Sequence, residues 1–534
     1  MNHWPVPRRC PRWGSVVILA AAAVLAAAVY AYALAPWGPW AYTDSAAYVD
    51  AARHILAGQG VVSLQSDGRL TLLTHYPPGY PALLAGAMRF THGDWIAAGR
   101  LVDVLSLALF LFIVGWWLYE ASGWPILGLL GMVLLATGLP VARAFTSLMS
   151  EPPFLVLLAA WLYALWRSVC RGRRGWWWAA VLGAALSVGL RYAGLHAGIV
   201  LVLAALAFPP EQPWRVRLRL AVASGAVFLL PFGAWMVYDR TAGRSPGGFT
   251  PPGQWLPALG LFLRRSGETF LTAVFPAWLH PPLAAVVAFW LLVALVAAGW
   301  ALALSRWQRQ ATAPLAALAL VAVLDALAWF PFLAFMFVFI APPPALDFRM
   351  YTPAFVMWLV GGLAALAAWL RAKWPQREGA LRVAAAVAVV ALLAWMKSPA
   401  SAAHQALLDM RYFGEGYTAR PWQESVAEGV LHDVAALPPA TPLYSTQWPA
   451  VMLWLERPAF ALTDLPRYLL WQEASRLNPR LIQWRARGGV VVVLWQPGAD
   501  RSRLWWKALL KRNGGTLCDT DAIGALYCRP PVKP

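Results

Sequence analysis

Charge is scarce in this sequence. Of its 534 residues only 13% are Asp, Glu, Lys or Arg, about half the share usual in a soluble globular protein, so water is not the chain's main solvent. Acidic residues are scarcest, with 24 Asp plus Glu against 43 Lys plus Arg and a formal charge of +19. In a soluble chain that balance would suggest nucleic acid. Here the basic residues gather in short loops between apolar runs, and no basic stripe interleaved with aromatics offers a nucleic-acid surface. Cysteine is also rare. Four cysteines do not make a disulfide scaffold, and Cys10 and Cys170 lie beside basic clusters expected to face a reducing cytoplasm. Cys518 and Cys528 flank an expected hairpin, where they could pair or stay as free thiols. Neither a Walker A loop nor a Gly-x-Gly-x-x-Gly turn occurs, so no nucleotide fold is signalled, and no internal repeat is visible.

What the sequence has is hydrophobic length. Apolar residues make up 60% of it, and runs of roughly 20 residues, a bilayer's width, recur from Ser15 to Met396. Basic clusters at residues 8–12, 171–174, 215–219, 306–309 and 371–382 set the orientation, since short basic loops stay cytoplasmic. An even number of spans must separate successive clusters. The reading that satisfies this has about eleven transmembrane helices, at 15–35, 95–118, 125–140, 152–169, 176–190, 193–208, 220–238, 283–304, 314–340, 351–370 and 383–396. The first run follows Arg8, Arg9 and Arg12 in the order of a signal peptide, but its full bilayer width predicts an uncleaved helix. The expected fold class is therefore mainly α and polytopic. Residues 1–396 form the membrane domain and 397–534 a small C-terminal α/β domain. The N-terminus lies in the cytoplasm and the C-terminal domain in the periplasm of a bacterial inner membrane.

Three outer loops could roof a cavity. The first, 36–93, contains two stretches of helical spacing, 45–56 and 79–90, too short to span and read as interfacial helices. The second, 239–282, is rich in Gly and Pro, and the third is the turn 342–349. After Arg411 the pattern is α/β, with strands at 442–446 and 489–495, a helix at 448–456 and a hairpin at 516–528. Most of the 33 Trp residues, such as Trp37, Trp40 and the run 176–178, fit interfacial belts.

Several polar residues could carry chemistry. Asp44 opens the first interfacial helix, where it could be an N-cap or a general base at a membrane-facing cavity. Glu151 precedes Pro152 and Pro153, where an acid complements the helix dipole. On the same side and at the same depth, Asp44 and Glu151 could share a divalent metal ion, or one could orient an acceptor. His75 and Tyr76 enter a proline-stiffened turn through Pro81, where they and Tyr80 could touch a donor phosphate or a sugar or serve as aromatic anchors at the interface. Arg191 and Arg349 fall at the outer ends of helices, where a guanidinium could hold a phosphate, snorkel or form an ion pair, as Arg349 could with Asp347. Asp103 and Asp325 could neutralise such arginines within the bundle.

Together, the early Asp44, the 75–81 turn, Glu151 before its prolines and the helix start at 349–353 resemble the GT-C superfamily of integral-membrane glycosyltransferases. The resemblance covers about residues 15–370, and is greatest to the bacterial branch of aminoarabinose transferases and relatives of protein O-mannosyltransferases. It implies a sugar donor on polyprenyl phosphate, periplasmic transfer to a lipid, glycan or protein acceptor, and inversion at the anomeric carbon. Asp44 matches the family's first-loop base and Glu151 its second acid, commonly Asp in relatives. Aminoarabinose-branch relatives carry a basic residue just before the paired prolines to meet the donor phosphate. Here Tyr76 stands there, with His75 one place earlier, which makes Arg191 and Arg349 the expected substitutes. The competing class is a transporter or lipid flippase, which would show paired repeats and broken helices in matching halves. A non-catalytic assembly or receptor protein would rest on the C-terminal domain alone.

Overall fold

The computed structural model describes residues 13–208, 212–241, 248–274, 283–309, 314–341, 346–396, 401–462, 479–495 and 500–529. The basic cluster at 8–12 and Cys10 lie outside these. Helix α1 (Trp13–Leu34) leads into the first outer loop, which folds as α2 (Thr43–Leu56), a hairpin of β1 (Val62–Leu64) and β2 (Leu70–Leu72), and α3 (Gly79–Phe90). The bundle continues through α4 (Trp95–Ser122), α5 (Pro125–Ala136), α6 (Leu139–Ala144), α7 (Glu151–Arg171), α8 (Arg174–Leu190), α9 (His196–Ala207) and α10 (Trp214–Thr241). Then come β3 (Gly248–Phe249), α11 (Trp255–Val274), α12 (Leu283–Arg309), α13 (Pro314–Phe339), β4 (Ile340–Ala341), α14 (Phe348–Lys373) and α15 (Glu378–Met396).

A helix occupies each expected spanning position. Seven of the described helices, α1, α4, α7, α10, α12, α13 and α14, are long and apolar enough to cross a membrane. The other four positions hold helices of 12 to 19 residues, α5, α8, α9 and α15. The chain is a polytopic α-helical membrane protein. Lipid tails are as apolar as leucine, so such helices associate by close packing between small residues. At the α4–α5 crossing a Cβ on Gly128 would meet the Gly115 carbonyl oxygen at 2.5 Å, so the backbones touch there.

Three expectations need correction. The helix expected over 125–140 stops at Ala136, and Pro140 belongs to the first turn of α6. Proline's missing N–H costs nothing at a helix start. The second outer loop contains a 20-residue helix, α11, whose one proline, Pro257, falls in the first turn, where a missing N–H is tolerated, and whose remainder is an amphipathic run. Phe262 on α11 is buried against Phe337 and Trp290. Helix α14 begins at Phe348, with the Asp347 side chain capping the N–H groups of Arg349 and Met350, so Arg349 lies inside a helix's first turn.

The C-terminal region holds α16 (Ala402–Tyr412), α17 (Arg420–Glu428), α18 (Val430–Ala436), β5 (Leu443–Ser445), α19 (Trp448–Leu455), β6 (Phe460–Ala461), β7 (Gly489–Leu494), β8 (Thr516–Thr520) and β9 (Gly524–Arg529). Its sheet has the order β6-β5-β7-β9-β8, parallel on the β5 side and antiparallel at β9 and β8. The valine run of β7 is covered on both faces, as a central strand requires. Val490 and Val492 pack on one core, Val491 and Val493 on another. Cys518 and Cys528 are joined by a disulfide across the β8–β9 hairpin.

The first of those cores is shared with the first outer loop. Tyr48, Val49, Tyr80 and Leu84 from α2 and α3 pack in one cluster with Trp422, Val451, Leu453 and Val490. Burying each such side chain contributes about 1.5–3 kcal/mol, so the C-terminal region also braces the loop that carries Asp44. If the basic loops face the cytoplasm, as their charge predicts, a reporter fused after Met396 should be active only when it functions outside the cytoplasm. Activity confined to cytoplasmic reporters would reverse the topology.

Candidate active site

The site begins with a short extended segment held on both sides. Trp40 N–H donates to the Thr146 carbonyl at 2.7 Å and its own carbonyl accepts from Leu148 N–H at 2.8 Å, while Ala41 carbonyl accepts from Tyr417 N–H at 2.7 Å. Gly416, at φ +65°, permits this approach, since a Cβ there would fall 2.1 Å from the Ala41 oxygen. The segment thus sets the entrance of α2 beside the entrance of α7. Asp44 and Glu151 each lie in the first turn of these two helices.

Asp44 is not the cap of α2. Ser45 Oγ accepts the Tyr42 N–H at 3.0 Å, which leaves the Asp44 carboxylate to accept from Tyr76 Oη at 2.8 Å. Burial, and then the charge of Asp44, push the Tyr76 phenol far above its ordinary pKa, so Tyr76 stays a donor. Tyr48, one helical turn after Asp44, packs its ring on Tyr76 and Tyr80 with centroids 4.6 and 4.8 Å apart and reaches Ser150 Oγ at 3.4 Å. Its spacing of four from Asp44 was the one sequence signal for a shared face.

Glu151 pairs with Arg191, Nη1 to Oε1 at 2.5 Å, with only 7% and 18% of the two side chains exposed. Arg191 also donates to Ser150 Oγ at 3.4 Å. It sits at the α8–α9 junction, in a turn tied to the first outer loop by Tyr192 Oη donating to the Thr74 carbonyl at 3.1 Å. Arg349 holds Asp347 Oδ2 with two donors at 2.7 and 3.0 Å and lies over the Trp40 ring at 5.3 Å. The expected Arg349–Asp347 ion pair is therefore present. Even so, Glu151, Arg191 and Arg349 line one cavity with Phe154, Trp329 and Met350, of about 10 Å³, room for roughly one water molecule. Glu151 Oε2 is buried with no hydrogen-bond partner among the described residues.

The structure thus places Asp44 and Tyr76 in one hydrogen-bonded pair, and Glu151, Arg191 and Arg349 around one cavity. His75 stands apart: it is exposed, with its ring edge against Tyr76. Asp103 and Asp325 do not neutralise the arginines. Asp325 pairs with His196 at 2.9 Å, because that histidine faces it from α9, and neither Asp103 oxygen has a hydrogen-bond partner among the described residues. Among the described residues no three His, Cys, Asp or Glu side chains converge as metal ligands. With Glu151 paired to a guanidinium, this donor set suits Mg²⁺ or Ca²⁺ poorly, since such ions take six or more oxygens.

No protein-family model matches the chain, and no curated protein matches it by sequence. Solved structures do match over nearly its whole length. ArnT from Cupriavidus metallidurans bound to undecaprenyl phosphate superposes with a TM-score of 0.56 at 15% identity, covering 97% of this chain and 98% of that one. The apo state of ArnT gives 0.56 at 17% identity, covering 96% and 98%. The arabinofuranosyltransferase AftD from Mycobacteria gives 0.53 at 16% identity, covering 97% of this chain but 40% of AftD. The chain therefore shares the fold of ArnT over nearly its whole length and that of AftD over the matched part.

Proposed function

We propose that the protein transfers a monosaccharide from a polyprenyl-phosphate donor to a lipid, glycan or protein acceptor on the periplasmic face of the inner membrane. The observation that carries the reading is a run of contacts at one end of the bundle, from the carboxylate of Asp44 through Tyr76, Tyr48 and Ser150 to Arg191, which lines one cavity with Arg349, in a fold shared with a protein solved with undecaprenyl phosphate bound.

The chemistry needs a base, a phosphate clamp and a dry cleft. Tyr76 holds one oxygen of Asp44, and the carboxylate takes the proton of the acceptor hydroxyl as that oxygen attacks the anomeric carbon. The bond from that carbon to the phosphate oxygen breaks, and its electron pair leaves with the polyprenyl phosphate. Attack opposite the leaving group inverts the configuration. Each guanidinium has five N–H donors, so both arginines keep donors for the phosphate beyond those held by Glu151 and Asp347. The cavity beside them admits one oxygen-sized atom. Glu151 keeps Arg191 aimed.

Changing Arg349 to Ala should weaken binding of undecaprenyl phosphate by about 1–3 kcal/mol, the worth of a lost charge-assisted hydrogen bond. Asp347 still caps α14 in this variant, so the fold should persist. Unchanged affinity would return Arg349 to its role as an ion-pair partner. Excess chelator should leave transfer unchanged. Loss on chelation, restored by a divalent ion, would instead assign Asp44 and Glu151 to a shared metal. Lipid and glycan profiles of cells with and without the gene identify the acceptor.

A further inference from the structure

We propose that the buried His196–Asp325 pair is a positioning unit that sets both arginines at once, an inference that rests on reading Arg191 and Arg349 as the phosphate clamp. Both side chains have zero exposure. His196 Nδ1 lies 2.9 Å from the Ala193 carbonyl oxygen and Nε2 lies 2.9 Å from Asp325 Oδ1. A carbonyl only accepts, so Nδ1 carries a hydrogen. Nε2 then donates to an ionised Asp325 or accepts from a protonated one, and the pair is neutral overall in both forms. That neutrality suits an apolar interior.

Two chains of contact lead from the imidazole to the site. The first runs through Ala193 to the Arg191 turn. That turn closes with Gly194 N–H donating to the Arg191 carbonyl at 2.9 Å, and a Cβ on Gly194 would meet Val188 N at 2.6 Å, so it has little room to shift. The second runs through Trp329, which lies one helical turn after Asp325 on α13 and therefore on the same face. The His196 ring meets the Trp329 ring edge-on at 4.4 Å, and Trp329 Nε1 donates to the Met350 carbonyl at 2.6 Å, directly after Arg349. Phe154, also against the imidazole at 6.4 Å, lines the same cavity as the arginines. A hydrophobic pair of equal volume would fill this space at lower cost than a buried His–Asp pair, so packing alone does not account for it.

The test is equilibrium binding of undecaprenyl phosphate to purified full-length protein. Substituting His196→Leu should weaken binding by about tenfold. Asp325→Asn, whose amide N–H can donate to the Nε2 lone pair while Nδ1–H still meets the Ala193 carbonyl, should stay within about twofold of wild type. Arg191→Lys, which keeps the charge but loses the fork, should weaken binding by about tenfold. Because His196 acts partly through Arg191, the double variant His196→Leu/Arg191→Lys should be clearly stronger than the roughly hundredfold loss expected of independent sites. Independent, multiplying losses or wild-type affinity in His196→Leu would overturn the proposal while leaving the clamp intact. Wild-type affinity in Arg191→Lys would remove the clamp reading and this inference with it. Should His196→Leu fail to fold, Trp329→Phe decides: it keeps an aromatic ring beside His196 and removes the donor to Met350 together with the rest of the indole. It should weaken binding about three- to fivefold, and wild-type affinity there would overturn the proposal.

Discussion

Replacing Asp44 by Asn is expected to cut sugar transfer by roughly 10²–10⁴-fold while leaving the fold and donor binding nearly intact. The geometry separates these effects. Helix α2 does not depend on Asp44 for its start, because Ser45 accepts the Tyr42 N–H. Asn still offers a carbonyl oxygen to Tyr76, so the hydrogen bond at 2.8 Å can persist. What Asn lacks is an oxygen that can take a proton. Tyr76 does not substitute, since burial, the largest cause of its raised pKa, still holds its phenol protonated when the carboxylate is gone. Turnover by the purified variant, measured beside its affinity for undecaprenyl phosphate, checks this. Near-normal turnover would remove Asp44 as the base.

The next largest effect should come from Arg191→Ala. Taking one partner from a buried ion pair leaves an uncompensated charge and costs about 3–5 kcal/mol. Glu151 is the group left behind, with 7% of its side chain exposed and Oε2 already unpartnered. The loss should appear as a lower melting temperature together with weaker donor binding. Adding Glu151→Gln removes the stranded charge, so Arg191→Ala/Glu151→Gln should recover most of the stability. Donor binding should not recover, because the guanidinium is still missing. Recovery of both would make Arg191 a structural counter-ion only, and equal stability of all three proteins would mean the pair is not buried in solution.

The sequence carried the membrane architecture well because bilayer width and basic loops impose long-range order on local patterns. Helix α3 begins and ends where its spacing indicates, and α2 nearly so. Helix α11 was hidden because Gly and Pro just before Trp255 mask an amphipathic run. At the site, Asp44, Glu151, Arg191 and Arg349 are each visible as polar residues where polarity is costly. Their partners are not, because pairing is tertiary: Tyr76 lies 32 positions from Asp44, and Arg191 lies 40 from Glu151. His196 was passed over for the same reason. The available signal was one histidine and one aspartate, each alone in an apolar run, that happen to face each other. Nor could spacing show that the C-terminal region shares a core with the first outer loop.

We propose for this fold the movement of a sugar from a polyprenyl phosphate to an acceptor, and not of a lipid across the bilayer. The most direct measurement reconstitutes the purified protein in vesicles with a labelled polyprenyl-phosphate sugar and acceptor-containing envelope extract, then follows both the label and the lipid. Sugar transfer should yield labelled acceptor and free polyprenyl phosphate in equal amounts, both formed roughly 10²–10⁴-fold more slowly by Asp44→Asn. Intact donor reaching the opposite leaflet without any release of polyprenyl phosphate would contradict it and make the protein a flippase.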